Sequence, residues 1–169
     1  MLHFLYLQEE VLLCRLCDVV CRLLFVCLLA QVSVSDIRSM KIPDRLNGAI
    51  LVLGAVRRGI LFAFGAQASG AAGGMLLADG LYGMLAAALP MYLLALAGPG
   101  SLGGGDIKLV AACGVFLGAG GVLWGTAAGM VMAGVYAAAA LLRHKKARSV
   151  FPLGPFLSCG YLLQMMCSS

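Results

Sequence analysis

Charge is what this chain has least of. Asp, Glu, Lys and Arg make up 11% of its 169 residues, and 62% are hydrophobic. Soluble domains carry about 25% charged residues and about 45–50% apolar ones. The shortage excludes a sizeable soluble domain. With a mean hydropathy of +1.00 it marks an all-α, polytopic membrane protein. A spanning helix needs roughly 20 apolar residues, so there is room for about six transmembrane helices. Histidine is nearly absent. His3 in the N-terminal tail and His144 in a basic loop have no partner with which to build a metal site. The net charge of +5 shows no basic face of the kind nucleic acid needs. In a membrane protein such an excess gathers in cytoplasmic loops. A clean signal peptide is also missing, because Glu9 and Glu10 stand where a basic segment is expected.

The seven cysteines all lie in or beside apolar segments. Disulfide frameworks belong to small secreted domains, so these read as small hydrophobes. Cys14, Cys17 and Cys21 share one helical face. A C-x-x-C without a second pair is a weak metal or redox signal, and no metal is expected.

Residues 1–18 are apolar but broken by Glu9, Glu10, Arg15 and Asp18. They read as an interfacial lead-in to a membrane-embedded domain at 19–169. The expected spans are Val19–Ser35, Gly48–Ala66, Met75–Ala97, Ile107–Leu117, Val122–Leu142 and Val150–Cys167. Arg57 and Arg58 interrupt the second, which fits either a short span or a partly re-entrant segment. The Gly/Ala-rich stretch 67–74 and "GAGG" at 118–121 read as tight connections. Gly125, Gly129 and Ala133 recur every fourth residue, a spacing that lets helices approach closely. Six spans put Arg38, Lys41, Arg45, Lys108, Arg143, Lys145, Lys146 and Arg148 on one side, mainly Arg57 and Arg58 on the other, and both termini outside. The larger set marks the cytoplasm of a plasma-membrane protein.

Two carboxylates then fall at the cytoplasmic membrane boundary: Asp36 ends the first span and Asp106 begins the fourth. Ionisable groups at such depth are functional suspects by default. Two carboxylates held close titrate as a unit, one keeping a proton. The charged member can take a proton from water while the protonated one polarises a carbonyl, as in aspartic proteases. Gly103, Gly104 and Gly105 precede Asp106. Without side chains they can take positive φ, bend tightly and admit an extended peptide. Lys108 is placed to neutralise acidic charge or meet lipid phosphate. Asp44 reads as a cap or turn residue and Asp79 as a structural residue at a span edge. An alternative is a six-span transporter or channel with Asp36 and Asp106 as a cation site. Such sites usually lie nearer the bilayer midplane.

"GGGDIKL" (103–109) and "SDIRSMKIPDRLN" (35–47) together resemble the type IV prepilin peptidases, members of the GxGD class of membrane aspartyl proteases. Gly103 and Gly105 occupy the glycine positions of the motif and Asp106 its aspartate. Asp36 fits the first catalytic aspartate. "FPLGPFLSCG" (151–160) is similar to the segment that opens the family's last helix, with Gly154 and Pro155 as part of the wall of the site. The resemblance implies an endopeptidase that removes the basic leader from pilin-like precursors at the cytoplasmic face, just before the substrate's hydrophobic helix. The nucleophile would be water, with no metal or organic cofactor. Larger members carry an N-terminal cytoplasmic domain with two C-x-x-C pairs and also methylate the new N-terminus. A peptidase-only form is expected here, without methyl transfer.

Overall fold

The computed structural model describes residues 2–68, 70–98, 103–142 and 152–168. The described residues form five helices: α1 (Leu2–Ser39), α2 (Asp44–Ala68), α3 (Gly70–Ala97), α4 (Gly104–Leu142) and α5 (Gly154–Cys167). Three are long and apolar enough to cross a membrane, over Asp44–Ala63, Gly74–Ala97 and Gly104–Ala140. An all-α polytopic membrane protein is the result. The six separate spans expected from the sequence are not reproduced as six helices. The basic loop expected at 143–149 and Pro99–Leu102, which lead into the glycine run, lie outside the described residues. The last helix begins at Gly154 rather than Val150. The division at residue 18 leaves no break in α1, which runs unbroken to Ser39.

The α1 helix buries one stripe. It is Cys21, Phe25, Leu29, Val32 and Asp36, at steps of three and four that keep one face inward. Asp36 therefore continues an apolar stripe. Phe25 stacks on Phe116 of α4, with ring centroids 4.1 Å apart and planes 2° from parallel. The α1 helix ends where Met40 turns left-handed (φ 51°). The Met40 N–H closes the last turn on the Asp36 carbonyl at 2.8 Å. Pro43 disfavours helix at the residue before it, and its carbonyl then accepts from Leu46 N–H as α2 begins.

Lipid is as apolar as leucine, so helices in a membrane associate through close packing rather than through escape from water. Glycines supply that packing here. Gly83 of α3 lies directly against Gly114 of α4, and Gly160 of α5 lies against Gly125 and Gly129 of α4. The spacing of Gly125 and Gly129 thus does what their sequence pattern predicts.

The α4 helix is two arms joined at Gly118 (φ 81°, ψ 176°). The first arm starts with Asp106 close enough to Asp36 for their charges to interact, and Asp36 is bonded to the start of α5. The same arm ends with Leu117 sharing a small cavity with Gln164 and Met165, near the end of α5. The second arm runs back, with Gly121 near Gln164, Gly125 on Tyr161 and Gly129 on Phe156 and Leu157. The turn expected at 118–121 is therefore a reversal at one residue, with no loop.

Such a break leaves carbonyls unpaired at the end of the first arm and N–H groups unpaired at the start of the second. Arg57 and Arg58 supply the donors. Arg57 Nη1 donates to the Phe116 carbonyl at 2.9 Å, and Arg58 Nε donates to the Val115 carbonyl at 2.9 Å. Asp79 supplies the acceptor, taking Ala119 N–H at 3.1 Å on one oxygen and Arg58 Nη2 at 3.1 Å on the other. Arg58 also donates to the Leu76 carbonyl. Arg57 is paired with Asp18 at 2.7 Å, and Asp18 in turn with Arg22 at 2.8 Å. The two arginines left open by the sequence thus belong to a continuous α2 whose inner face they extend to the break. The re-entrant reading is not what the fold adopts.

Candidate active site

The end of the molecule opposite the Gly118 break gathers the C-terminus of α1 and the N-termini of α2, α4 and α5. Asp36 is buried (5% exposed). Its Oδ2 accepts the backbone N–H of Gly154 at 2.8 Å. A β-carbon at Gly154 would stand 2.9 Å from that oxygen, so glycine there is what lets the backbone reach the carboxylate. Pro155 occupies the first turn of α5, where a missing N–H costs nothing. Gly154 is thereby brought to Asp36, and Pro155 follows it in the chain.

Asp106 lies in the first turn of α4, half-buried and within electrostatic range of Asp36. The Gly103 carbonyl accepts the N–H of Asp106 at 3.0 Å. Gly104 and Gly105 are already helical, and Gly118 is the one described glycine with positive φ. The left-handed bend expected of the glycine run is absent, because the turn closes with ordinary helical geometry. Close approach is the operative reason instead. A β-carbon on Gly105 would come within 3.2 Å of Ile42 Cβ, and one on Gly103 within 3.1 Å of Asp106 Oδ2. Gly104 faces open space.

Lys108 does meet acidic charge: its Nζ pairs with Asp44 at 2.8 Å. Asp44 opens α2, and its carboxylate reaches across to α4. Neither aspartate of the candidate pair takes part in a salt bridge among the described residues.

Asn47 is the residue the sequence reading missed. It is buried (5% exposed), and its Nδ2 donates to the Gly105 carbonyl at 3.3 Å. That contact ties α2 to the residue before Asp106. It also fixes the amide orientation, since only the NH2 group can face a carbonyl. The other side of the amide, Oδ1, is buried without a partner among the described residues. A signal existed: Asn47, Ile50, Gly54 and Arg58, all buried, recur at steps of three and four, so Asn47 lies on the inward face of α2.

The arrangement offers two carboxylates from separate helices, one of them oriented by a backbone N–H. Gly103, Gly104 and Gly105 lead into Asp106, and Gly154 lies against Asp36. This suits activation of water beside a polarised carbonyl. No group of three or more His, Cys, Asp or Glu side chains that could hold a metal occurs among the described residues.

Compared with known families, the chain matches a model described as the type IV leader peptidase family over residues 23–138, more than half its length. The match includes Asp36 and Asp106 and stops short of α5. No curated protein and no solved structure matches the chain.

Proposed function

The chain belongs to the type IV leader peptidase family, and from that membership we propose that it is an aspartic endopeptidase acting on prepilin-like precursors. It cuts the basic leader from the hydrophobic helix at the cytoplasmic face of the plasma membrane. In this reading Asp36 and Asp106 are the catalytic pair. The observation that supports it most is their convergence. Two acids 70 positions apart in the sequence, on separate helices, come within electrostatic range of each other at the end that carries Arg38, Lys41 and Arg45.

The proposed chemistry needs one proton shared between the two carboxylates. The ionised member takes a proton from a water molecule as the water oxygen attacks the scissile carbonyl carbon. The protonated member donates a hydrogen bond to the carbonyl oxygen, where negative charge develops. Proton transfer to the leaving nitrogen then lets the C–N bond break. The Gly154 N–H, bonded to Oδ2 of Asp36, holds that carboxylate in place and leaves Oδ1 for the water. The reaction needs no cofactor, and methyl transfer forms no part of the proposal.

A gel-shift assay tests this reading. A precursor with a basic leader ending in Gly before a hydrophobic helix is incubated with detergent-solubilised protein. Wild type should shorten it at that bond. Asp36→Asn and Asp106→Asn should each abolish shortening, because half a pair cannot both activate water and polarise the carbonyl. Cleavage that survives either substitution would remove the pair from the mechanism. Failure of folded wild type on several such precursors would favour the cation-site reading, and ion flux would be measured next.

A further inference from the structure

The dyad end of the molecule is cationic, with Arg38, Lys41, Arg45 and Lys108 all exposed. The chain has seven acidic residues. Glu9, Glu10 and Asp18 lie in the N-terminal half of α1, and Asp79 sits at the Gly118 break. Asp36 and Asp106 form the pair. Asp44 alone is left to offer a negative charge at this end outside the pair itself.

Its position beside the pair follows from two short links. Asp44 stands two residues after Ile42, which packs on Gly105. Its partner Lys108 stands two residues after Asp106. The Asp44–Lys108 bridge therefore joins the start of α2 to the start of α4 at the edge of the site. It is open to water, with side chains 73% and 60% exposed. Exposed pairs hold weakly, so another cation can take the place of Lys108 at little cost.

We propose that Asp44 is the specificity-determining residue for the substrate's leader: its carboxylate exchanges Lys108 for a cationic side chain of the precursor. This deepens the peptidase reading and rests on it. An extended peptide advances about 3.3 Å per residue, so a leader lysine or arginine a few residues before the scissile bond spans the gap from Asp106. Lys108 acts as the resident competitor. With no substrate bound it neutralises Asp44, and a leader without positive charge has nothing to offer in exchange.

The two members of the bridge then have opposite effects, whereas a bridge that merely fastened α2 to α4 would give both the same sign. The test uses two synthetic precursors that differ only in the leader, one with lysines and one with glutamines in their place. Wild type, Asp44→Asn, Lys108→Gln and Asp106→Asn are assayed by initial rate as the full chain in detergent. Asp44→Asn should raise KM for the basic leader about three- to fivefold, the scale of an exposed ion pair. It should leave KM for the neutral leader unchanged. Lys108→Gln should lower KM for the basic leader. The inference is overturned if both variants move KM in one direction, if they act alike on the two leaders, or if neither moves it. A wild type that cleaves neither precursor, or cleavage retained by Asp106→Asn, overturns the peptidase reading itself and this inference with it.

Discussion

At Gly154 a single methyl group decides the geometry of the candidate site. A β-carbon there would press on Oδ2, Cβ and Cγ of Asp36 at 2.9–3.2 Å. Asp36 is held on a buried stripe and has little room to yield. Gly154→Ala is expected to cut the cleavage rate about 100-fold, the scale of a misplacement near 1 Å. Helical content by circular dichroism should be unchanged. Met40 gives a prediction of the opposite sign. Its left-handed backbone costs an L-residue about 1–2 kcal/mol that glycine escapes, so Met40→Gly should raise the melting temperature in detergent by a few degrees. At this scale the sequence was legible in part. Asp36 and Asp106 stand out because charge is scarce and each lies at the edge of an apolar run. The positive φ expected at Gly103–Gly105 was not legible, because a glycine needed for close approach and one needed for a left-handed turn look alike. Asn47 was lost among the polar residues of its loop.

At the scale of elements, the reversal at Gly118 is the weakest place to add an atom. A β-carbon there would run into Asp79, and φ of 81° is unfavourable for any L side chain. Gly118→Val is expected to block accumulation of folded protein, measured as the monodisperse fraction in detergent. Arg58→Met should be milder. It strips donors from the Val115 and Leu76 carbonyls and leaves Asp79 without its cation. Asp79 is 47% exposed, so the loss should be about 2 kcal/mol, below the usual cost of breaking a fully buried pair. It is measurable as a lower midpoint of thermal unfolding. The sequence hid this arrangement. Arg57 and Arg58 looked like flaws in a span because what they bond, the Val115 and Phe116 carbonyls, is backbone and leaves no mark in the residue pattern. Their acidic partners, Asp18 and Asp79, are visible as residues but lie 39 and 21 positions away. The turn itself was legible, since glycine and alanine at 118–121 interrupt the larger apolar side chains.

The molecule as a whole is polarised. One end holds the candidate site amid Arg38, Lys41 and Arg45, and the other holds the ion pairs around the Gly118 break. If the cationic end faces the cytoplasm, a cysteine at Ser39 in an otherwise cysteine-free chain should react with a membrane-impermeant maleimide only in inside-out vesicles. Labelling from outside intact cells would invert the topology. Composition made the membrane class plain. It counted the two arms of α4 separately, whereas in the fold they form one helical element that doubles back at Gly118. The seams between these helices carry a last consequence. Gly83 on Gly114, and Gly160 on Gly125 and Gly129, place backbone directly on backbone. Glycine is the smallest residue, so every mutation at these five positions adds atoms and none can remove them. Leu85, Val131 and Val135, exposed on the outer surface, are free to drift among residues of many sizes. The seams are not, and a compensating change across them has no side chain left to shorten. The history such a chain can accumulate is therefore written on its outer surface, while the backbone seams stay closed to neutral change.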